Sequence, residues 1–135
     1  MITLASIVDE ETDNEAEMPK IAGMYINRLN IGMRLQADPT VKYATKNFTA
    51  HRIYEKWLSV DSPYNTYRNK GLPPGPIRIP SVAAIDAVLN YVHHDYIYMC
   101  AKEDFSGTHR FAKTYEEHMV NAKRYADALN KKNIK

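Results

Sequence analysis

The sequence has few of the features that tie a chain to a disulfide framework, a membrane span or a nucleotide site. Among its 135 residues the single cysteine, Cys100, excludes an internal disulfide, and we expect it to be a buried thiol that packs as a small hydrophobe. No apolar run approaches the roughly 20 residues that span a bilayer. The five glycines form no phosphate-binding loop. The net charge of +2 is too small to indicate nucleic-acid binding.

The composition is that of one globular domain. With 44% hydrophobic and 25% charged residues, the chain can build a single core but is too short for two comfortable domains. No basic region followed by an apolar secretory region occurs at the N-terminus. Met1 leads almost directly into a predicted helix. We therefore expect residues 1–135 to be one domain of a longer protein.

The residue spacing predicts neither a metal site nor a nucleophilic catalytic triad. His93 and His94 are adjacent, and no two histidines share a helix face with a carboxylate, so no metal or other cofactor is predicted. No serine occupies the sharp turn of a nucleophilic hydrolase. His109 and His118 lie in predicted core elements, where we expect them to make structural hydrogen bonds.

One acidic stretch near the start, Leu4-Ala-Ser-Ile-Val-Asp-Glu-Glu-Thr12, organises the rest of the chain. A helix turning about 100° per residue places Glu11 on an apolar stripe with Leu4, Ile7 and Val8. Such a carboxyl needs a hydrogen bond, an ion pair or a raised pKa. Asp9 and Glu10 are expected to be solvated. From periodicity alone, an acid at a frayed helix end remains the alternative for Glu11.

The remaining patterns predict a helix-rich α+β domain. The predicted elements are a helix that begins near 14–19 and stops at Gly32, short helices at Pro39–Thr45 and Thr49–Trp57, a helix capped by Ser81, a hairpin of Tyr96–Ala101 and Thr108–Lys113 around Asp104–Gly107, and a terminal helix after a Thr114 and Glu117 capping box. The expected core faces of the last two helices are Val82, Ile85, Val88 and Leu89, and Met119, Ala122, Tyr125, Ala126 and Leu129. The tail 131–135 is expected to fray.

Two irregular segments suggest the chemistry of the site. Residues 61–68 and 70–77 are too rich in proline for regular structure, yet carry more Tyr and Leu than a linker. A long ordered loop is often functional, although it can also be a packed surface loop. A partly buried Glu facing loops with Tyr, Asn, Gln and Pro suits a sugar polymer, whose hydroxyls need directional partners and whose ring faces stack on aromatic side chains. We therefore expect a carbohydrate cleft.

Five ordered runs resemble the catalytic domain of the endolytic murein transglycosylases, the YceG-like or MltG family. They are Leu4–Thr12, Ile21-Ala-Gly-Met-Tyr-Ile-Asn-Arg-Leu29, Gly32-Met-Arg-Leu-Gln-Ala-Asp-Pro-Thr-Val41, Asp61-Ser-Pro-Tyr-Asn-Thr-Tyr67 and Gly71-Leu-Pro-Pro-Gly-Pro-Ile77. Residues 109–114 and 117–118 are also similar to that family. The resemblance covers nearly the whole chain and implies a helix-rich α+β domain with a lysozyme-like cleft and a small antiparallel hairpin.

The resemblance assigns the catalytic role to Glu11. In that family the catalytic acid is the second Glu of a Glu-Lys-Glu-Thr run, and here Asp9 and Glu10 replace the first Glu and the Lys, which weakens any role for Asp9. The implied reaction is non-hydrolytic cleavage of the β-1,4 bond between N-acetylmuramic acid (MurNAc) and N-acetylglucosamine (GlcNAc) within peptidoglycan strands, leaving 1,6-anhydro-MurNAc ends. Glu11 would serve as general acid and then as base, without a metal or cofactor.

For the substrate cleft we expect loop residues to contribute, each of which could alternatively serve loop packing or capping. They are Gln36, Asp38, Tyr64, Asn65, Thr66, Tyr67, Leu72, Pro73 and Pro74. Arg28 and Arg68 are candidates to meet carboxylates of the substrate. A lysozyme-like muramidase that uses water and a non-catalytic peptidoglycan-binding module are the alternative functions.

The resemblance also implies a location and partners. Members of the family are typically membrane-anchored, and they act on the periplasmic side or outer face of the cytoplasmic membrane, where glycan strands are terminated during cell wall biogenesis. The implied partners are peptidoglycan strands and the cell-wall synthesis machinery. Neither nucleic acid nor membrane contact by this domain itself is expected.

Overall fold

The computed structural model describes residues 1–45, 58–104 and 106–131, in which five helices and a two-stranded sheet confirm the predicted α+β class. The elements are α1 (Ile2–Glu11), α2 (Met18–Asn30), α3 (Asp38–Thr45), α4 (Val82–Leu89), β1 (Tyr98–Ala101), β2 (His109–Ala112) and α5 (Tyr115–Lys131). The predicted helix Thr49–Trp57, the tail 132–135 and Phe105 of the predicted hairpin turn lie outside the described residues.

The main core lies where α1, α2 and α4 pack against one another. Its apolar side chains are almost inaccessible to solvent and include Leu4, Ile7, Val8, Ile21, Ala22, Met24, Ala84, Ala87 and Val88. Burial stabilises the fold by about 1.5–3 kcal/mol for each large aliphatic side chain. Helix α2 packs beside α1, and this packing brings Tyr25 to the end of α1.

The core face predicted for α4 is partly wrong. Val82 and Leu89 are 75% and 60% exposed, whereas Ala84 and Ala87 are buried. The small alanine side chains let α4 approach α1 and α2 closely, and this orientation turns the larger residues outward. The cap is confirmed, because Ser81 Oγ accepts a hydrogen bond from the backbone N–H of Ala84 at 3.1 Å.

The connecting segment 91–97 lies directly against α2. A Cβ atom on Gly23 would lie 2.2 Å from the carbonyl oxygen of Val92, so this approach requires glycine. Asn27 of α2 donates a hydrogen bond from Nδ2 to the carbonyl of His94 at 2.8 Å. These contacts fix the position of the segment that leads into β1.

The predicted hairpin is confirmed, although each strand is shorter than expected. Tyr98 of β1 pairs with Ala112 of β2 in antiparallel register. Met99 and Phe111 pack against the main core. On the other face, the ring of His118 stacks on Tyr98 with centroids 5.0 Å apart. The predicted hydrogen bond of His118 is wrong for Nδ1, which is buried without a partner.

The last helix, α5, covers that second face of the hairpin, and its predicted apolar face is partly wrong. Leu129 is buried, but Met119 is 46% exposed and Ala126 is also exposed. A two-stranded sheet offers too little surface to cover a helix of 17 residues. The predicted cap is present, since Thr114 Oγ1 accepts a hydrogen bond from the backbone N–H of Glu117 at 3.2 Å.

Within the described ranges, no helix has the length and apolar character needed to cross a bilayer.

Candidate active site

Glu11 is the last residue of α1, and its carboxylate faces α2. Its Oε1 atom accepts a hydrogen bond from the hydroxyl of Tyr25, which is only 2% exposed. A buried tyrosine hydroxyl needs a partner, and Glu11 supplies it. Glu11 itself is half-buried. This position agrees with the apolar stripe predicted for α1.

The surroundings of Glu11 favour its protonated form. Loss of hydration raises the pKa of Glu11 from 4.5 to about 7, and the negative charge of Asp38 acts in the same direction. The hydrogen bond from Tyr25 and the positive charges of Lys42 and Arg28 lower the pKa by a smaller amount. A carboxyl that titrates near neutral pH can both donate a proton and take one back, as a general acid and base must.

Asp9, two residues earlier on α1, corrects the expectation of a solvated acid. Asp9 is buried, its Oδ2 accepts the backbone N–H of Ser81 at 2.8 Å, and the same atom lies 3.7 Å from Arg78 Nε. The loop before α4 covers this side of α1, where the N–H of Ile77 donates to Ser6 Oγ at 3.1 Å. Asp9 therefore joins α1 to the start of α4.

Asp38 and Tyr67 form a second carboxylate and phenol pair, in which Tyr67 Oη donates to Asp38 Oδ1 at 2.5 Å. Asp38 is exposed at the start of α3, yet the protein around its carboxyl removes enough hydration to raise its pKa. The Tyr67 hydrogen bond and the charge of Lys42 lower the pKa of Asp38 in turn. Loss of hydration, followed by the Asp38 charge, raises the pKa of Tyr67.

Asn65 fixes the loop that carries Tyr67. It is fully buried, and its Nδ2 donates to the carbonyls of Leu58 and Val60 at 3.0 and 2.8 Å. Its Oδ1 accepts the backbone N–H of Tyr67 at 2.9 Å. Both ends of the Asn65 amide are thus engaged by the loop, so Asn65 fixes the loop backbone that carries Tyr67.

Thr66 connects this loop to the turn before α3. Its Oγ1 accepts the N–H of Ala37 at 2.8 Å, and its carbonyl accepts the N–H of Gln36 at 3.3 Å. Gln36 has a φ of 50°, in the left-handed region that is costly for residues other than glycine. The contacts with buried Thr66 hold the backbone in this conformation and leave the Gln36 side chain exposed.

The second loop, which carries the predicted residues 72–74, passes beside Tyr64 at Gly75. A Cβ atom on Gly75 would lie 3.5 Å from the Tyr64 hydroxyl, so the two loops pass in contact. Pro73 is buried, whereas Leu72 is 39% exposed and Pro74 is exposed. The structure thus brings together Gln36, Asp38, Thr66 and Tyr67, whereas Tyr64 contacts Gly75, the residue after the predicted segment 72–74.

Glu11 lines a groove of about 520 Å³, which we call the acidic groove. One wall is formed by residues 10–14, with Glu10 and Asp13, and the other by Ser106 and Gly107 of the hairpin turn. Thr12 Oγ1 donates to the carbonyl of Gly107 at 3.2 Å and ties the walls together. Sequence reasoning missed this wall, since the two residues are 95 positions apart.

Glu17 and His109 anchor the hairpin a second time. Glu17 Oε2 accepts the backbone N–H of His109 at 3.0 Å, and Oε1 lies 2.5 Å from His109 Nδ1. Both side chains are largely buried. The predicted structural role of His109 is confirmed, and it holds β2 against the connection between α1 and α2.

Arg28 is buried and does not lie open to a substrate carboxylate. Its guanidinium donates to the carbonyls of Ile97, Leu35 and Arg34 at 2.6, 2.7 and 3.2 Å. Only 5% of Arg28 is exposed. It therefore joins α2 to the approach to β1 and to the turn before α3.

Tyr25 and Lys42 are the site residues that sequence reasoning missed. The periodicity places Tyr25 on the core face of α2 and gives it a packing role. Its hydroxyl was the available signal, because a buried tyrosine on an apolar face must find a polar partner. Lys42 carries no comparable signal, since lysine in a short amphipathic helix is ordinarily solvated.

Comparison with known proteins gives matches along nearly the whole chain. Residues 1–124 match the model of the YceG-like family. Over 132 residues the chain is 41% identical to a protein of Bacillus subtilis (strain 168) named endolytic murein transglycosylase. It is 33% identical over 132 residues to a protein of the same name from Streptococcus pneumoniae serotype 2. These alignments cover 98% and 95% of the chain but only 36% and 24% of the relatives.

A solved structure agrees with these matches. The crystal structure of a yceG-like protein from Listeria monocytogenes is similar with a TM-score of 0.81 at 42% sequence identity. The match covers 87% of this chain and 38% of that chain. The chain therefore spans well under half the length of each of these relatives.

Proposed function

The chain belongs to the YceG-like family, and from that premise we propose that it is the catalytic part of an endolytic murein transglycosylase, the name its relatives carry. The proposed substrate is the glycan strand of peptidoglycan. The proposed reaction cleaves the β-1,4 bond between MurNAc and GlcNAc without water and leaves a 1,6-anhydro-MurNAc end. Cleavage of this kind terminates a strand.

The observation that carries the proposal is the state of Glu11 in the acidic groove. Its pKa of about 7 results chiefly from loss of hydration, while the Tyr25 hydroxyl fixes one carboxyl oxygen. The other oxygen is left to exchange a proton with a ligand in the groove. A protonated carboxyl at neutral pH is what a glycosidic oxygen requires as it departs.

Glu11 would act twice in the reaction. The acid gives its proton to O4 of the departing GlcNAc as the C1–O4 bond breaks and positive charge develops at C1 of MurNAc. The carboxylate then takes the proton of the C6 hydroxyl on the same MurNAc, and that oxygen bonds to C1 to close the anhydro ring. Glu11 ends protonated, as it began. Because the nucleophile belongs to the same sugar, its attack has an entropic advantage.

The residues around Glu11 support this cycle through position and charge. The negative charge of Asp38 favours the protonated acid before cleavage and stabilises the positive charge at C1. We assign the cleft to the residues expected from the sequence, Gln36, Asp38, Tyr64, Asn65, Thr66, Tyr67, Leu72, Pro73 and Pro74. Within this set, Asn65 and Thr66 act through the loops that they hold.

The proposed substrate also places the site of action outside the cytoplasm. We assign it to the periplasmic side or outer face of the cytoplasmic membrane, together with the cell-wall synthesis machinery. Digestion of the tagged full-length protein in intact spheroplasts by an added protease tests this location. Complete protection from the protease, with an external control protein degraded, would contradict it.

One observation favours a second candidate, a lysozyme-like muramidase that uses water. Asp38 is a second carboxylate whose charge acts on Glu11, and many glycosidases work with two carboxyl groups. Such a hydrolase would leave a reducing MurNAc end. The two candidates therefore differ in the mass and chemistry of their products.

Mass spectrometry of the products from uncrosslinked glycan strands tests the proposal. We expect 1,6-anhydro ends from the unaltered protein and none from Glu11→Gln. Reducing ends would identify the hydrolase instead. If neither protein cleaves strands that both bind, the chain acts as a peptidoglycan-binding module and the catalytic assignment is wrong.

A further inference from the structure

A second groove, of about 480 Å³, lies along the strands of the hairpin, between α2 and α5. We call it the basic groove, because its lining includes three cations and two aromatic rings. These are Lys20, Lys102, Arg110, Tyr96 and Phe111. Neither Glu11 nor any residue of the predicted cleft lines it.

Lys20 gives this groove an ammonium group available to an anion. Its Nζ lies 4.4 Å from the ring centroid of Phe111 and 5.2 Å from that of Tyr96. In the part of the chain that the structure describes, no carboxylate oxygen lies within 4 Å of this atom. The rings hold the ammonium in place without neutralising its charge.

The other two cations are not equivalent. Lys102 Nζ is 3.9 Å from Asp104 Oδ2, at the limit of an ion pair. Arg110 instead makes two short hydrogen bonds to Glu103, at 2.7 and 2.6 Å, which engage its guanidinium. Glu117 adds one carboxylate to the lining. Lys20 and Lys102 are therefore the pair that a ligand carboxylate can reach.

The two grooves are adjacent along the hairpin. Gly107 lines the acidic groove and His109 lines the basic groove. Two residues of extended chain span at most about 7 Å. A molecule seated beside Glu11 can therefore extend a substituent from one groove into the other.

We propose that the basic groove binds the acidic peptide that peptidoglycan carries on the lactyl group of MurNAc. Lys20 and Lys102 pair with peptide carboxylates, and the rings of Tyr96 and Phe111 contact its aliphatic parts. The acidic groove suits the uncharged sugar, since its described lining has three carboxyl groups, Glu10, Glu11 and Asp13, and no cationic side chain that would pair with a carboxylate. This inference rests on the proposed function, because it names a second part of the same substrate.

The test compares two substrates, uncrosslinked strands with intact peptides and the same strands stripped of peptides by an amidase. The readout is the ratio of kcat/KM for intact over stripped strands. We expect a ratio well above one for the unaltered protein and a fall of about tenfold, through KM, in the double variant Lys20→Gln, Lys102→Gln. Lys123→Gln, which removes an exposed charge of α5 outside the groove, is the matched control.

Three results would overturn the inference. They are a ratio near one in the unaltered protein, an unchanged ratio in the double variant, and an equal fall in Lys123→Gln. The single variant Lys102→Gln serves if the double variant does not fold. If the unaltered protein cleaves neither substrate, the proposed function fails, and NMR titration with the free acidic peptide decides the inference separately. Shifts at 109–111 that the double variant loses would support it, and no shifts would refute it.

Discussion

The pairs Glu11–Tyr25 and Asp38–Tyr67 contain the same two kinds of group in different surroundings. Glu11 is half-buried and its tyrosine is 2% exposed, whereas Asp38 is exposed and its tyrosine is half-buried. In both carboxyls the surrounding protein raises the pKa, and the phenol hydrogen bond lowers it. For Glu11 the pKa reaches about 7.

The two pairs show that one factor raises the pKa of the carboxyl and a different factor orients it. A phenol donor stabilises the carboxylate, so it cannot be what keeps Glu11 protonated. Loss of hydration does so, and the charge of Asp38 adds to it. Glu11 is thus suited to carry the proton, while Asp38 is suited to supply the negative charge that acts on it. Changing one member of each pair tests this division.

The largest effect is expected for Glu11→Gln, which removes the proton carrier while keeping shape and the Tyr25 contact. We expect the cleavage rate to fall by about 10³-fold with little change in strand affinity. The rate of release of new strand ends measures the fall. Glu15→Gln, an exposed change in the connection between α1 and α2, is the control and should cleave normally. A Glu11→Gln rate within tenfold of the unaltered protein would contradict the role of Glu11.

The Glu11→Gln variant should also show how much the carboxyl of Glu11 lowers the free energy of unfolding. Between pH 4.5 and about 7 the unfolded chain releases the Glu11 proton while the folded protein keeps it, so stability falls as pH rises through this window. At pH 8 we expect Glu11→Gln to be more stable than the unaltered protein by up to about 3 kcal/mol. Near pH 4 the difference should nearly vanish. Urea unfolding at both pH values measures it, and a gain independent of pH would refute the explanation.

A smaller effect is expected for Asp38→Asn. Removing the charge lowers the pKa of Glu11, so the decline of kcat/KM at high pH should begin at a lower pH. At neutral pH we expect a loss of up to about tenfold, equivalent to one pKa unit. Asp86→Asn, an exposed change on α4, controls for net charge. An unshifted pH profile in Asp38→Asn would show that Asp38 does not act on Glu11.

The smallest effects, with opposite signs, are expected from the two tyrosines. Tyr25→Phe removes a hydrogen bond that lowers the pKa of Glu11, so the decline should move to higher pH. Loss of the hydrogen bond between Tyr25 and Glu11 should lower the free energy of unfolding by about 1 kcal/mol. Tyr67→Phe should raise the pKa of Asp38, so that Asp38 carries less negative charge and raises the pKa of Glu11 less. The decline of kcat/KM at high pH should therefore move slightly to lower pH. Paired pH profiles of kcat/KM measure both, and shifts in the same direction would contradict the comparison.

The elements that the sequence predicted well depend on local patterns. The stripe of α1, the cap at Ser81 and the turn of the hairpin each need only neighbouring residues. The exposed faces of α4 and α5 were not predictable in this way, because apolar content does not say which side a neighbouring element will cover. Val82 and Leu89 are exposed for this reason, while small Ala84 and Ala87 make the close contact.

The site was predictable to a similar degree. The stripe singled out Glu11 but left a frayed helix end as the alternative, and the resemblance to a known family gave Glu11 its expected role and named the loop residues around it. The long-range partners of α1 did not follow, because they depend on packing between distant segments. Asp9 is buried by a loop 72 positions away, and the Thr12 contact with Gly107 spans 95 positions. The raised pKa of Glu11 likewise depends on loss of hydration and on the charge of Asp38, which periodicity alone does not predict.

The close contact between Gly23 and Val92 has a kinetic consequence. It fixes the approach to the hairpin at one end, and the bonds of Thr12 and Glu17 fix the turn at the other. Because the hairpin is held at both ends, the proposed glycan substrate would meet a groove that is already formed. We therefore expect the strand to bind without a slow opening step of the protein. Among variants, the dissociation rate should vary more than the association rate.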